Sequence, residues 1–252
     1  MTTGPLARSF AGVETWIFDL DNTLYPPHSN LFAQVDRKMG EFISKLLGVD
    51  PVEAKAIQKQ FYRDYGTTLR GLMTVHGVDP HEFLAYVHDI DHSPIEPDPA
   101  LGAALALLPG RKFVLTNGSR AHAQSVVARL GIESHFEDMF DIVAAAFEPK
   151  PARPPYERFI ARYGIDPSRA AMFEDLPRNL EVPRALGMRT VLVVARPGTP
   201  AETLAFRQRW ETEVGDGGYI DHVTDDLADF LVSAVEGRAT GAAAIDSRPV
   251  AR

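Results

Sequence analysis

Short apolar runs, each broken off by a polar cluster, recur along this chain of 252 residues. Trp16-Ile17-Phe18 ends in Asp19 and Asp21, and Phe113-Val114-Leu115 ends in Thr116-Asn117-Gly118-Ser119. Phe140-Asp141-Ile142-Val143-Ala144 leads on to Glu148-Pro149-Lys150-Pro151, and Ala170-Ala171-Met172-Phe173 ends in Glu174-Asp175. Thr190 to Val194 forms a further run, and Tyr219-Ile220-Asp221-His222-Val223 is the candidate for an edge strand. Runs this short and this continuously apolar predict parallel strands covered on both faces. Helical patterns follow the polar tips, so the fold class is α/β, with a Rossmann-like parallel sheet whose strand ends share one crevice.

The period changes after the first strand. Leu31, Phe32, Val35, Met39, Phe42, Ile43, Leu46 and Leu47 repeat at helical spacing and give one apolar stripe. Gly48-Val49-Asp50-Pro51, Gly77-Val78-Asp79-Pro80 and Gly164-Ile165-Asp166-Pro167 share one punctuation. In each, glycine suits a left-handed helix stop, aspartate a cap and proline a first turn. Residues 24–96 are thus expected to be an inserted helical cap, bounded by the proline-bearing stretches Tyr25-Pro26-Pro27 and Ser93 to Pro99. Residues 1–23 and 97–235 then form a discontinuous core. Thr224 is expected to cap a last helix with Asp225 and Asp226 in its first turn, and residues 236–252 to be a disordered tail. An insertion directly behind the acid pair must sit over the crevice, where a lid would exclude water.

Composition narrows the partners. With 45% hydrophobic and 24% charged residues the chain can bury a substantial core. A formal charge of −8 argues against a nucleic-acid polymer, whose binding needs a basic footprint. The chain has no cysteine, which excludes disulfides and thiolate chemistry and fits a reducing compartment. No apolar run reaches the roughly 18 residues of a membrane span, and residues 1–12 lack a signal-peptide core, so the expected setting is cytoplasmic with no membrane partner.

Asp19 and Asp21 carry the first chemical signal. Two carboxylates so close repel unless a cation or hydrogen bonds offset the charge, which points to a metal or to divided acid and base roles. On an extended backbone both would start on one face, so a turn must separate them, and Asn22 and Thr23 suit that turn.

Together, in this order, Asp19-Leu20-Asp21-Asn22-Thr23, Thr116-Asn117, Lys150 and Glu174-Asp175 resemble the four motifs of the haloacid dehalogenase superfamily, in its phosphatase branch. The likeness runs from about residue 13 to 195. The strings Asp19 to Pro27, Tyr65 to Leu72 and Thr116 to Ala123 further resemble its pyrimidine 5′-nucleotidase group. In one departure the chain has Leu176, followed by Pro177, where that group often carries serine. The resemblance implies a Mg²⁺ cofactor held by Asp19, Asp175 and the main-chain carbonyl of Asp21. It implies Asp19 as nucleophile, Asp21 as acid and base, and Lys150 as the charge beside nucleophile and phosphate. Thr116, Asn117, Gly118 and the backbone of Ser119 are expected to cradle phosphate, with Glu174 and Thr23 in support. Tyr65 and Arg70 become candidates for reading the substrate.

Other features have plainer readings. His88 and His92 stand four apart, but they flank a helix end and no third ligand lies near in sequence, so zinc is disfavoured. Asp89-Ile90-Asp91 follows an amphipathic pattern and is expected at a solvated helix terminus. Phe61, Tyr62 and Tyr65 are core candidates, with stacking on a base the alternative for Tyr65. The expected activity is hydrolysis of a small phosphorylated metabolite, pyrimidine nucleoside 5′-monophosphates first. A sugar-phosphate phosphatase or phosphomutase is the alternative among enzymes, and a phosphoacceptor or nucleotide-binding regulator the alternative outside them.

Overall fold

The computed structural model describes residues 4–200, 203 and 218–236, so the expected tail at 236–252 lies outside the described residues except for Glu236. Among the described residues the strands are β1 (Thr15–Phe18), β2 (Arg111–Leu115), β3 (Asp138–Phe140), β4 (Ala170–Glu174), β5 (Arg189–Val193) and β6 (His222–Thr224). They form one parallel sheet in the order β3-β2-β1-β4-β5-β6, the α/β architecture that the short apolar runs predict. Phe18 aligns with Val114 on one side and Phe173 on the other, so β1, β2 and β4 release their polar tips at the same level.

Both faces of the sheet are buried. Trp16, Phe18, Val114 and Phe173 enter one core with residues of α6 (Pro99–Leu107), α7 (Arg120–Leu130) and α10 (Leu227–Glu236). Ile17, Phe113, Leu115 and Met172 enter the other with Tyr156 and Phe159 of α8 (Arg153–Tyr163). Alternate residues of each strand thus serve opposite layers, as a pleated backbone requires.

Between β1 and α6 lie α2 (Leu31–Leu47), α3 (Pro51–Tyr65), α4 (Thr68–His76) and α5 (Pro80–Val87). They have a core of their own, in which Val35, Ile43, Phe61, Leu72 and Phe83 are buried together with Ile142 from the far side of the crevice. Leu24, Tyr25, Leu31 and Ile95 pack instead into the sheet-side core, so both ends of the insertion are anchored beneath it. The connectors behave as their residues dictate: Gly48, Gly77 and Gly164 take left-handed φ, and Asp50 and Asp79 accept backbone N–H groups of the next helix. Asp166-Pro167 opens only a short 3-10 turn before β4.

Several boundaries move. The run 140–144 is mostly a turn, because the Asp141 carboxylate takes the N–H groups of Arg120 and Ala144, both at 2.9 Å, and ends the ladder after Phe140. The last helix starts at Leu227; Asp226 accepts the Asp229 N–H, and Thr224 closes the preceding turn through the Asp226 N–H. A short helix, α1 (Pro5–Ser9), precedes β1, and α9 (Glu181–Ala185) follows β4. None of the described helices is long and apolar enough to cross a membrane.

Helices α3 and α4 meet where Phe61 lies on Gly71. A Cβ at Gly71 would stand 2.4 Å from Phe61 Cβ, too close to the backbone for the ring to swing clear. Gly71→Ala should therefore destabilise the protein by about 1–3 kcal/mol in urea unfolding, as overpacked cores do.

Candidate active site

Sheet geometry places the chemistry. Asp19 follows β1 directly and extends its ladder, its N–H donating to Phe173 O at 2.9 Å. Glu174 ends β4 and Asp175 comes next, while Lys150 arrives on the loop after β3. All four are buried. Lys150 Nζ donates to Asp19 Oδ1 at 2.6 Å, Glu174 Oε2 at 2.7 Å and Leu115 O at 2.8 Å, which uses all three ammonium hydrogens. Asn117 fixes this lysine from behind: its Oδ1 accepts the Lys150 N–H at 2.8 Å and its Nδ2 donates to Lys150 O at 3.1 Å.

Carboxylate oxygens of Asp19, Glu174 and Asp175 lie within 4.8 Å of one another. Three buried carboxylates meeting in one place repel one another, and bringing such charges together out of water is unfavourable. Hard oxygen donors at this spacing fit a divalent cation of the Mg²⁺ type. Glu174 is occupied at both ends, by Lys150 and by the Leu176 N–H at 3.2 Å, so its part is to orient the lysine and the fourth loop. The backbone amide of Leu176 thus makes a contact that does not require the hydroxyl missing there.

Asp21 parts from Asp19 at the turn. Asn22 adopts φ 60°, a left-handed conformation that asparagine tolerates. Asp21 Oδ1 then accepts from the Tyr25 hydroxyl and from His122 Nε2, the latter at 2.9 Å. Burial and the neighbouring Glu174 carboxylate push Asp19 up to about 7. Burial also acts upward on Asp21, but the charge and hydrogen bond of His122 outweigh it and bring Asp21 down to about 2. Lys150 is held above the ordinary lysine range: burial acts downward and is outweighed by Asp19 and Glu174.

A cavity of about 150 Å³ lies over these groups. Its floor is Asp19, Asp21, Thr116, Lys150 and Asp175, and Phe32, Val35, Met39, Phe83 and Val87 of the inserted helices make an apolar roof. On one side Arg178 stands over the Tyr62 ring, 4.5 Å from its centre. Thr116 Oγ1 accepts the Gly118 N–H at 2.9 Å, and a Cβ at Gly118 would press on Thr116 Oγ1 at 3.3 Å and His122 Cδ2 at 3.4 Å. Thr23 Oγ1 approaches Asp19 Oδ2 at 3.4 Å. Ser119 is turned to capping α7.

Tyr65 and Arg70 are not brought to this cavity. Tyr65 packs edge-on against Phe61, and Arg70 reaches the Phe147 carbonyl at 3.3 Å and Glu148 at 4.0 Å. His88 and His92 do gain a third ring, His122, but the His88 and His122 rings stack at 4.6 Å and do not converge on a point. Among the described residues only the carboxylate trio gathers metal-type ligand atoms. Tyr25, His122 and Arg178 are site residues that sequence reasoning gave no role, and Tyr62, expected in the core, lines the cavity. Tyr25 and His122 lay inside the recognised strings, yet nothing local reveals that a ring 101 residues downstream holds Asp21.

Comparison with known proteins decides the family, since the profile of the haloacid dehalogenase-like hydrolases matches residues 13–187. The chain belongs to the haloacid dehalogenase-like hydrolase family. Phosphate metabolism protein 8 of Saccharomyces cerevisiae is 29% identical over 161 residues, which is 59% of this hydrolase and 47% of the yeast protein, so the chain spans about half the length of that relative. The solved HAD phosphatase of Thermococcus onnurineus superposes with a TM-score of 0.57 at 16% identity, over 89% of this chain and 99% of that one. The L-2-haloacid dehalogenase of Xanthobacter autotrophicus gives 0.52 at 19% identity, over 90% and 100%. Likeness at such identities is likeness of fold, and both chemistries share it.

The raised Asp19 has a measurable consequence. Without metal, the unfolded chain ionises Asp19 near 3.8 and the folded protein near 7, so stability falls as pH rises between these values and then levels off. Asp19→Asn should remove that fall: in chelator, the variant gains melting temperature over the parent at pH 8 but not at pH 4.

Proposed function

We propose that this hydrolase is a Mg²⁺-dependent phosphomonoesterase that forms an aspartyl-phosphate on Asp19, with pyrimidine nucleoside 5′-monophosphates as first candidate substrates. One observation carries the reading: a carboxylate locked to Lys150 and a second, independently held carboxylate face the same small cavity. A dehalogenase has no need of Asp21, because a halide leaves without a proton, and a regulator that only binds has no need of a proton carrier.

Asp19, steadied by Lys150, attacks phosphorus while the ester P–O bond breaks and Asp21 gives its proton to the departing oxygen. Water then attacks the aspartyl-phosphate as Asp21 takes up a water proton, and the bond from Asp19 to phosphorus breaks. Asp19, Asp175 and the main-chain carbonyl of Asp21 would hold Mg²⁺, which would supply positive charge that lowers Asp19 and screens the phosphoryl oxygens. An entering phosphate dianion raises its carboxyl neighbour Asp21, which favours the protonated form that the first step needs. Lys150, its hydrogens committed to protein oxygens, acts on the phosphoryl group chiefly through charge. Thr116, Asn117 and Gly118 shape the phosphate side of the cavity.

Residues 24–96 act as the cap over a core made of 1–23 and 97–235, in a cytoplasmic setting. The apolar roof suits a flat base better than a bare sugar. Tyr62 is the ring placed to meet it, while Tyr65 and Arg70 would join only through a movement of the cap.

Phosphate release across a metabolite panel tests the reading. UMP, CMP and dTMP should be cleaved ahead of purine nucleotides with Mg²⁺, and chelator should abolish turnover. A preference for sugar phosphates, or transfer of phosphate to a second sugar, would replace the nucleotidase by the sugar-phosphate alternative. Asp19→Asn should lose about four orders of magnitude or more in kcat, and Asp21→Asn should keep ligand binding while losing turnover. Activity near the parent's in Asp19→Asn contradicts the mechanism.

A further inference from the structure

An aspartate that hands a proton to a leaving oxygen must present one carboxylate oxygen in one place, yet an unrestrained side chain moves among staggered rotamers. Asp21 is restrained at one end. His122 Nε2 at 2.9 Å and the Tyr25 hydroxyl both meet Oδ1, which leaves Oδ2 on the Gly118 side of the cavity. His122 is itself enclosed, its side chain 0% exposed. Its Nδ1 faces His92 Nε2 at 3.2 Å, and its ring lies on that of His88 with 12° between planes. His88 Nδ1 in turn meets Ser119 Oγ at 2.9 Å, the same hydroxyl that accepts the His122 N–H at 3.3 Å. His122 belongs to α7 of the core, whereas His88 ends cap helix α5 and His92 lies on the segment returning from the cap. A core imidazole that reaches the acid is gripped by two imidazoles from the insertion.

We propose that His122 is a positioning residue for Asp21, and that His88 and His92 hold it only while the cap rests on the core, so that cap closure and alignment of the proton carrier are one event. The proposal rests on the assignment of Asp21 as acid and base. It explains why three rings crowd a place where no ligand set forms, and why both bonds to Asp21 fall on the same oxygen.

Single-turnover rates on phenyl phosphate and 4-nitrophenyl phosphate test it, because phenolate leaves poorly without a proton and 4-nitrophenolate leaves well without one. His122→Phe should slow phenyl phosphate by about 10²- to 10³-fold and 4-nitrophenyl phosphate by less than about 10-fold, in line with the worth of a general acid. His122→Gln, which keeps an N–H donor, should restore most of the phenyl phosphate rate. His92→Ala should show the same selectivity, near 10-fold, because it loosens His122 without removing it. Equal losses on both esters in His122→Phe, or no loss on either, overturn the proposal. Should that variant fail to fold, His122→Ala with added imidazole serves: rescue confined to phenyl phosphate supports the proposal and absence of rescue overturns it. Asp21→Asn separates two failures. If it too lacks leaving-group selectivity, the acid assignment falls and the proposal with it; if it is selective and His122→Phe is not, only the role of His122 falls.

Discussion

The contact on which this molecule turns is the buried ammonium of Lys150 between the carboxylates of Asp19 and Glu174. Charges taken out of water must be matched closely or they unfold the place that holds them. Here all three ammonium hydrogens are used, and Asp175 brings a third buried carboxylate beside the pair. The two aspartates at the end of β1 shift in opposite directions, for different reasons. Burial and Glu174 push Asp19, the candidate nucleophile, up to about 7, while His122, against the effect of burial, draws Asp21, the candidate acid, down to about 2. A bound divalent cation would lower Asp19, and a phosphate dianion would raise Asp21.

Such an arrangement needs a scaffold that cannot relax. The sheet supplies it: β1 is flanked by β2 and β4, its four residues are all buried, and Asp19 remains in the ladder through its own N–H. The inserted helices supply the other half. They roof the cavity with apolar side chains, which lowers the local dielectric and strengthens every charge beneath. Through His88 and His92 they also touch the ring that holds Asp21.

Much of this was legible in the residues, for identifiable reasons. Continuous apolar runs report strands buried on both faces, and acids at their ends report a crevice, since both depend on local pattern. Glycine-aspartate-proline punctuation reports helix ends for the same reason, and Asp50 and Asp79 cap as their chemistry predicts. What escaped was long-range or competitive. Asp141 sits in an apolar run but turns the chain because its carboxylate finds two backbone N–H groups. Asn117 lines the cavity, yet its amide clamps the Lys150 backbone. Tyr65 and Arg70 carry the right chemistry for a ligand but are placed by cap packing elsewhere, and Tyr62 and Arg178 stand in the position nearest to that role.

The central claim is that an acid at the end of β1 captures a phosphoryl group. Acid quenching during turnover of 4-nitrophenyl phosphate with Mg²⁺, followed by peptide mapping, tests it most directly. The account predicts a hydroxylamine-sensitive phosphoryl group on the peptide containing Asp19 and on no other. Phosphate found on a different side chain, or complete turnover with no phosphorylated protein at any quench time, would contradict it.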